Sequence, residues 1–342
     1  MIDEQILLTS SSEPGSLGVL HLKRYWDKNL LKRSGKLAKD AFPEEWNIDN
    51  TLLSVLGLGL EQTVTWLYNT NPDFKTFEDW IVAVNNGELS GNKIGAFNEY
   101  INNRQLPYKK ENNSADVLSA ADMDFWNREG YVIIRNAISA EDCENTIHAI
   151  CDFINVKRDD PGTWYKPHPA RQGIMVQLFQ HPALEKNRLS KKIRAAYEQL
   201  WQRNDLWVNT DRVGFNPPET DRWKFPGPNL HWDVSLALPI PFGLQGILYL
   251  SDTSADQGAF TLVPGFQHRV EDWLANLDPG NNPRTEDVYA LGATPIVARG
   301  GDFIIWHHAL PHGSSPNSTS QPRFVQYINY APLDADVNPS WK

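Results

Sequence analysis

Two short stretches hold the side chains with the clearest capacity for chemistry. In NLHWDV, His231 and Asp233 stand two residues apart. Residues i and i+2 of a strand point to the same face, so this pair could hold one ion while Trp232 faces away. The stretch GGDFIIWHHALPHGSSPNSTSQPRF is predicted to form a strand, a polar turn with His312 at its mouth, and a second strand that starts near Arg323. Two imidazoles and one carboxylate on one side of a metal are the ligands of non-haem Fe(II) oxygenases, which is our working hypothesis.

The H-x-D triplet is weak evidence by itself, because most such triplets are accidents of a protein surface. Here a strand-like stretch follows it, and a later histidine, His312, lies at the end of another strand. Arg323 then opens the next strand, and a guanidinium is the side chain best suited to hold a carboxylate in two parallel hydrogen bonds. Ser314, two residues past His312, can add a hydroxyl to the same carboxylate. Together these features predict a metal site beside a carboxylate-binding site.

His307 and His308 compete with His312 for the third ligand position. Both lie inside the predicted strand, where a histidine is more often packed or hydrogen-bonded behind a ligand than a ligand itself. Only His312 has a Gly-Ser pair after it and an arginine at the start of the following strand. We therefore predict His312 as the ligand and assign no metal role to the histidines that lack a partner pattern, which are His21, His148, His168 and His181.

Length and composition limit the classes of function. The chain has 342 residues, of which 41% are hydrophobic, so it can bury a sizeable core and is not a disordered protein. Its formal net charge of −10 argues against nucleic-acid binding, which needs clustered Lys and Arg. The longest strongly apolar stretch, Leu52 to Leu60, is half of what a membrane span needs. We therefore expect a small-molecule substrate and neither a nucleic acid nor a membrane as partner.

The cysteines and the N-terminus indicate the compartment. Cys143 and Cys151 fall in one predicted helix and are about 12 Å apart along its axis, which is too far for a disulfide. The N-terminal MIDEQILLTS lacks the basic and then apolar build of a signal peptide. We therefore expect a cytoplasmic protein.

The first two parts of the chain are an arm and a helical region. Residues 1–18 are polar and rich in Ser and Gly, which predicts a flexible arm. Residues 19–115 are predicted to be helical, with one continuous helix over IDNTLLSVLGLGLEQTVTWLY and another capped by Thr76 ahead of FEDWIVAVNN. The polar stretch PYKKENNSAD is predicted to be a linker.

The third part, residues 116–342, starts with helices and ends in strands. Ser119 and Ser139 each stand three residues before an aspartate, a pattern typical of a capped helix start. From Leu230 onward we expect only strands and turns. Many short strands after a mixed start predict a mainly β fold, an antiparallel barrel or sandwich with flanking helices, preceded by the N-terminal helical region.

Four stretches between about residue 122 and residue 330 carry a family resemblance. They are GYVIIRNAISAEDC, HWD, QGAFTLVPGFQH and GGDFIIWHHALPHGSSPN with the later PRF. They resemble, in turn, the opening strand with its capped helix, the H-x-D, the Gly-x-x-x-x-Pro-Gly-x-x-His stretch, and the distal His-Gly-Ser with the cosubstrate arginine of the phytanoyl-CoA dioxygenase (PhyH)-like family of Fe(II)/2-oxoglutarate-dependent oxygenases. The chain departs from this pattern by having Trp232 where Gln is common, Met175 where some members have Lys, and His268 displaced by an extra residue.

This resemblance implies a fold and a set of site residues. The fold is a double-stranded β-helix, also called a jelly-roll or cupin-like core. The resemblance implies iron held by His231, Asp233 and His312, and 2-oxoglutarate chelated to that iron through its oxo-acid end. It also implies that Arg323 and Ser314 hold the distal carboxylate of 2-oxoglutarate. Further candidates for lining the cosubstrate pocket are Asn216 and Gln177.

The function implied is the hydroxylation of an unactivated C–H bond of a small molecule. Fe(II), 2-oxoglutarate and O2 would be required, and succinate and CO2 would be the coproducts. Members of the family act on amino acids, natural-product scaffolds and carrier-bound acyl groups, and the sequence does not choose among them. The N-terminal helices are a candidate surface for a homodimer or for contact with a carrier protein.

Two other classes of function stay open at this point. A metal-dependent hydrolase could use the same two histidines and aspartate on zinc, but it would have no need for Arg323 at that spacing. A non-catalytic jelly-roll binding module would tolerate loss of the three ligands, which are nevertheless all present.

Overall fold

The computed structural model describes residues 8–103, 116–338 and 340–342. The predicted linker PYKKENNSAD falls almost wholly outside these residues, as does the beginning of the N-terminal arm. Two compact units are present: the residues before the gap at 104–115 together with Trp207–Thr210, and the remainder of the chain. No helix in the described part of the chain is both long and apolar enough to cross a membrane.

The first unit contains, within its described residues, five α-helices. These are α1 (Leu22–Arg33), α2 (Trp46–Val55), α3 (Leu60–Thr70), α4 (Phe74–Val84) and α5 (Gly91–Asn102). Part of the predicted arm is tied to them, because the Thr9 hydroxyl donates to Asp27 at 2.9 Å and the Leu17 amide donates to Glu78 at 2.9 Å. Residues 9–17 therefore contribute contacts to the helical unit.

The continuous helix predicted over IDNTLLSVLGLGLEQTVTWLY is wrong, because the chain breaks at its glycines. Helix α2 ends at Val55 and α3 begins at Leu60. Gly57 has φ +64°, a left-handed conformation that costs glycine far less than other residues. A Cβ at Gly57 would also lie 2.7 Å from Oδ1 of Asn85, so the turn needs a residue without a side chain.

The predicted cap of α4 is also wrong. The helix begins at Phe74, and the side chain of Asp73 accepts the amide hydrogen of Thr76 at 2.7 Å. Thr76 thus lies inside the first turn and supplies the amide that is capped. Asp73, three residues before Thr76, satisfies a free amide of the first turn, so the helix starts one turn earlier than predicted.

A buried ionic cluster connects α1, α2 and the turn that precedes α2. The Lys28 ammonium lies 2.7 Å from a carboxylate oxygen of Glu45 and 2.5 Å from one of Asp49, and only 2% of its side chain is exposed. His21 lies 2.9 Å from Asp49, and Arg24 lies 2.8 Å from Glu45. Although His21, Glu45 and Asp49 are close enough to hold a metal ion, Lys28 already supplies the positive charge that these carboxylates require.

Replacing Lys28 by Met should destabilise this unit, because two partly buried carboxylates would lose their cation. Removing one partner of a buried ion pair typically costs about 3 kcal/mol. The measurement is native-state hydrogen exchange at the amides of α1 and α2. Lys75→Met is the matched control, because Lys75 pairs with Asp79 on the surface and its loss should change little. Equal protection in both variants would contradict a stabilising role for Lys28.

The second unit begins with helices whose predicted caps are confirmed. Ser119 and Asp122 form a reciprocal capping box, with the Ser119 amide 2.9 Å from Asp122 and the Asp122 amide 3.2 Å from Ser119. Ser139 accepts the Asp142 amide at 3.1 Å. Within the described part of this unit the helices are α6 (Ala120–Glu129), α7 (Ala140–Phe153), α8 (Pro161–Trp164), α9 (Pro182–Arg188), α10 (Lys191–Trp201) and α11 (Val270–Ala275).

Both cysteines lie in α7, as predicted, and both are buried and free. The expectation of strands and turns alone beyond Leu230 is wrong, because α11 and three short 3-10 turns lie in that region. The turns are Phe266–His268, Pro283–Thr285 and Val288–Leu291.

The strands of the second unit form antiparallel sheets. The described strands are β1 (Tyr131–Ile134), β2 (Arg171–Gln172), β3 (Met175–Val176), β4 (Leu206–Val208, shared with the first unit), β5 (Val213–Asn216), β6 (Leu244–Tyr249), β7 (Thr261–Leu262), β8 (Thr294–Pro295), β9 (Phe303–His307), β10 (His312–Gly313), β11 (Arg323–Tyr327) and β12 (Tyr330–Pro332). Among these residues, one seven-stranded sheet has the order β1-β9-β6-β11-β5-β3-β2, and a three-stranded sheet has the order β10-β7-β8. The fold therefore combines antiparallel sheets with helices, which is the coarser part of the prediction.

A shared hydrophobic core lies between the two sheets. On the seven-stranded sheet, alternate residues of β6 and β9 belong to it, among them Tyr249, Ile304 and Trp306. The three-stranded sheet contributes Leu262 of β7 to the same cluster. Since side chains alternate along a strand, the neighbouring positions point away from this core. The metal-binding candidates lie at the margin of this core, where β10 joins the three-stranded sheet.

Candidate metal centre

The structure brings the three predicted ligands together. Nε2 of His231 lies 3.3 Å from Oδ1 of Asp233, and Nε2 of His312 lies 3.3 Å from Oδ2 of the same carboxylate. The three ligand atoms all lie within 4.8 Å of one another. Two imidazole nitrogens and a carboxylate oxygen converging in this way are a donor set that Fe(II) accepts.

A pair of backbone hydrogen bonds fixes the two histidines. The His231 amide donates to the His312 carbonyl at 2.9 Å, and the His312 amide donates to the His231 carbonyl at 3.0 Å. Gly313 allows this approach, because a Cβ there would lie 2.5 Å from the carbonyl oxygen of Asn229. The Gly-Ser tail after His312 therefore has a steric role as well as a chemical one.

The prediction that HWDV forms a strand is wrong, although the three side chains point in the directions that it implied. Only His231 makes a bridge, and Asp233 lies in a bend without a ladder partner. Trp232 points away from the ligand atoms as expected, since it belongs to the hydrophobic core and its Nε1 donates to the Ala309 carbonyl at 2.8 Å. The burial of Trp232 therefore turns the two flanking side chains outward, to the side where His312 lies.

The ring orientation of both histidines suits metal binding. Nδ1 of His231 lies 2.7 Å from the Asn229 carbonyl, and Nδ1 of His312 lies 3.0 Å from the Leu310 carbonyl. A carbonyl oxygen only accepts, so Nδ1 carries the hydrogen in each ring and Nε2 keeps its lone pair for a metal.

Asp233 is held as a carboxylate. Burial alone would raise its pKa, but hydrogen bonds and charge from His231 and His312 hold the pKa well below its usual range. Burial acts to lower the pKa of His231, and the bond to Asp233 outweighs it and raises that pKa. Gln245 also donates to Oδ2 of Asp233 at 2.8 Å. The site therefore presents an anionic ligand ready for a cation.

Arg323 and Ser314 lie together, as predicted. Nη2 of Arg323 donates to the Ser314 hydroxyl at 2.9 Å, and Arg323 is 1% exposed. Its Nε and Nη1 are buried and find no hydrogen-bond acceptor among the described residues. A buried guanidinium with open donors is poised to receive an anion, because an unpaired buried charge is costly. A carboxylate such as that of 2-oxoglutarate fits this requirement.

The two further candidates for the cosubstrate pocket, Asn216 and Gln177, lie at opposite ends of β5. Asn216 stands directly opposite Arg323 in the pairing of β5 with β11, and its buried Oδ1 has no partner in the described structure. Gln177 follows β3, whose last residue, Val176, pairs with Val213 of β5. Gln177 therefore lies near the start of β5, whereas Asn216 is at its end. The structure thus brings Asn216, but not Gln177, beside the Arg323 position.

His307 and His308 are not part of the ligand group found in the described residues. Burial, aided by His308 and His268, lowers the pKa of His307 to about 3, so its ring stays neutral. Nδ1 of His307 accepts the Ala309 amide at 3.1 Å, while Nε2 of His308 contacts the Pro241 carbonyl. Both rings are therefore committed to local contacts, which favours His312 as the ligand.

Two residues at the site have no sequence signal that marks them. Gln245 binds the carboxylate of Asp233, as described above. Arg284, in the turn Pro283–Thr285, donates from Nη1 to the Trp232 carbonyl at 2.8 Å and from Nη2 to the Val234 carbonyl at 2.7 Å. Neither residue belongs to a motif, and their role follows only from the distant segments that the fold brings to Asp233.

Comparison with known proteins decides the family. The sequence profile of the phytanoyl-CoA dioxygenase (PhyH) family matches residues 126–325, more than half of the chain. The chain belongs to the phytanoyl-CoA dioxygenase family. It is accordingly an Fe(II)- and 2-oxoglutarate-dependent dioxygenase that acts on a small molecule, as the sequence predicted.

Two characterised or named proteins are similar to this chain at low identity. A Dictyostelium discoideum protein, a candidate phytanoyl-CoA dioxygenase, is 25% identical over 61% of this chain and 74% of its own. The ectoine dioxygenase of Bordetella bronchiseptica is 20% identical over 67% of this chain and 80% of its own.

Two metal-bound proteins are among the solved structures that part of this chain resembles. EctD from S. alaskensis with bound Fe is 18% identical, covers 68% of this chain and 82% of its own, and has a TM-score of 0.49. HygX from Streptomyces hygroscopicus with nickel and 2-oxoglutarate bound is 16% identical, covers 63% of this chain and 88% of its own, and has a TM-score of 0.43.

Replacing Arg323 by Leu should weaken 2-oxoglutarate binding by more than about tenfold without changing metal affinity. The variant removes donors that have no other acceptor, and truncating one side of a buried charge pair costs about 2–5 kcal/mol. Arg323→Lys should recover part of the loss, because it restores the charge but not the fork. The measurement is anaerobic titration of the Mn(II) protein with 2-oxoglutarate. Normal 2-oxoglutarate binding by Arg323→Leu would exclude the assignment.

Proposed function

We propose that His231, Asp233 and His312 hold Fe(II), that Arg323 and Ser314 hold the distal carboxylate of 2-oxoglutarate, and that the enzyme hydroxylates an unactivated C–H bond of a small molecule. The observation that carries this proposal is the juxtaposition of the ligand group with a buried arginine that has open donors. His312 and Ser314 are two residues apart and Ser314 touches Arg323, so metal and clamp are connected through one short segment. Two residues of extended chain span roughly 7 Å, a separation that a five-carbon diacid can bridge.

Bound iron with 2-oxoglutarate and O2 would supply the oxidation, in which 2-oxoglutarate becomes succinate and CO2 and the second oxygen atom enters the substrate C–H bond. The chain supplies orientation and charge. The Asn229 and Leu310 carbonyls hold the two imidazole rings with Nε2 facing Asp233, and Gln245 limits the rotation of the Asp233 carboxylate. Arg323, which is itself 1% exposed, compensates the carboxylate charge of 2-oxoglutarate.

Two polar atoms beside the ligand group support the proposal that the substrate carries a polar group near the oxidised carbon. Trp306 and Gln245 stand opposite each other on β9 and β6, and the Trp306 ring lies 5.0 Å from that of His312. Nε1 of Trp306 and Oε1 of Gln245 are buried and without partners in the described residues. Because Gln245 must donate from Nε2 to a carboxylate, its Oε1 is an acceptor. One open donor and one open acceptor suit a hydroxyl, amide or similar group near the carbon that is oxidised.

The same proposal extends to the fold and the partners. The two antiparallel sheets around one core support a double-stranded β-helix, within an oxygenase domain of residues 116–342. The helical region of residues 19–115 is proposed as the surface for a homodimer or a carrier protein, and the two free cysteines support a cytoplasmic location. An amino acid, a natural-product scaffold and a carrier-bound acyl group are the substrate classes to be compared. A hydrolase is disfavoured, because hydrolysis gives the open donors of Arg323 no role.

Reconstitution with Fe(II) tests the function directly. The protein should convert 2-oxoglutarate to succinate and CO2 slowly without substrate, and faster when a substrate from the three classes is present. The reaction should stop when iron or O2 is removed. Asp233→Ala and His312→Ala should abolish succinate formation, whereas His148→Ala, a control on the exposed face of α7, should retain it. Succinate formation that survives complete chelation of metal would refute the proposal.

A further inference from the structure

The segment that carries Asp233 lacks the backbone support that a strand would give it. His231 is fixed by its two hydrogen bonds with His312, but the following residues bend away from that pairing. The carbonyls of Trp232 and Val234, one on each side of Asp233, instead receive the guanidinium of Arg284 at 2.8 and 2.7 Å. The side chain of Arg284 thus supplies hydrogen bonds to the backbone on both sides of Asp233, where a neighbouring strand would otherwise supply them.

Arg284 is itself held from several directions. Its base lies in the 3-10 turn Pro283–Thr285, where Asn282 caps the Arg284 amide at 3.0 Å. Nη2 and Nε donate to the backbone oxygen of Lys342 at 3.0 and 3.3 Å. The guanidinium also lies 4.7 Å from the ring centre of Trp341, which is 69% exposed. A planar fork held at its base and on one face can fix two carbonyls at a set distance.

A second set of contacts joins the same segments. The Ser235 hydroxyl donates to the Ser340 carbonyl at 2.5 Å and accepts the Lys342 amide at 3.0 Å, while the Leu236 amide donates to the Lys342 oxygen at 3.1 Å. Residues 340–342 therefore lie along the segment that follows Asp233. Arg284 occupies the junction between that pairing and the ligand segment.

We propose that Arg284 is a positioning residue that holds the peptide carbonyls flanking Asp233 and thereby directs its carboxylate toward His231 and His312. This inference rests on the proposed function in one respect, that Asp233 is a metal ligand. Nothing in the HWD motif encodes this support, because it comes from a turn far along the chain. A ligand on an irregular segment needs such an outside constraint to keep its direction.

Loss of the Arg284 charge and loss of its hydrogen bonds predict opposite changes in metal affinity. A positive group near the ligand set repels a divalent cation, so removing only its charge would strengthen metal binding. Removing the fork would free the carbonyls, let the carboxylate turn and weaken metal binding. The sign of the change in metal affinity therefore separates the positioning role from a purely electrostatic one.

The test is the affinity of the metal-free full-length protein for Mn(II), a redox-silent substitute for Fe(II), followed by the electron paramagnetic resonance signal of free Mn(II). Arg284→Met and Arg284→Lys should each lose about tenfold or more in affinity, as is typical when the support of a ligand is removed. Arg269→Met is the matched control. Arg269 also lies over an aromatic ring, at 5.4 Å from Phe266, and donates to two carbonyls, but none of these contacts involves the ligand segment.

Each outcome of the Mn(II) measurement either supports or overturns the proposal. Loss of Mn(II) affinity in both Arg284 variants, with Arg269→Met within about twofold of the parent, supports the proposal. Unchanged or tighter Mn(II) binding by Arg284→Met overturns it. Asp233→Ala separates the two levels of inference, because parental Mn(II) binding by that variant would defeat the proposed function itself.

Trp341→Ala keeps the proposal testable if the Arg284 variants do not fold. This change removes an exposed ring and leaves the bonds of Arg284 to the carbonyls intact but less confined. We expect a loss of about threefold in Mn(II) affinity, smaller than for Arg284→Met because the fork is retained. Parental affinity in folded Trp341→Ala, with no folded Arg284 variant for comparison, would count against the positioning role.

Discussion

The whole site depends on the reciprocal hydrogen bonds between the backbones of His231 and His312. These bonds join segments that are far apart in sequence, and they set the separation of two ring nitrogens before any ion arrives. Gly313 permits the approach, since a larger residue would meet the carbonyl of Asn229. The same short segment then delivers Ser314 to Arg323. A change that separated these two backbones would disturb the proposed metal ligands and the proposed carboxylate-binding residues together.

A second constraint is the buried charge of Arg323. Its guanidinium is out of water, and within the described part of the chain two of its three nitrogens find no acceptor, so the folded protein carries an unfavourable energy that an anion would relieve. Asp233 carries the opposite charge, and two histidines and Gln245 hold it as a carboxylate. In the proposed site, the cation would neutralise the charge of Asp233 and the cosubstrate would neutralise that of Arg323. The buried charge of Arg323 would favour binding of the cosubstrate, since the fold has already separated it from water, whereas Asp233 remains about half exposed.

Features with a local physical cause could be predicted from the sequence. The serine caps of α6 and α7, the start of β11 at Arg323 and the grouping of His231 with His312 all follow from short patterns of residue type. The prediction of a continuous helix through Gly57 failed because the left-handed turn there is packed against Asn85, the residue that follows α4. The strand at Asp233 failed for a related reason: Arg284 and residues 340–342 supply its hydrogen bonds from distant parts of the chain. Periodicity and capping patterns carry no information about such partners.

The fixed tautomer of the two histidines bears on which metal the protein acquires. Because the Asn229 and Leu310 carbonyls set both rings in advance, the site offers the same lone pairs to every first-row divalent ion. Such nitrogen and oxygen donors follow the Irving–Williams order and hold copper, nickel or zinc more tightly than ferrous iron. A preformed site of this kind cannot select iron by strength of binding. For the proposed ligand set, the metal bound in a cell would therefore depend on the relative supply of free metals, and binding of the wrong metal would inactivate the enzyme.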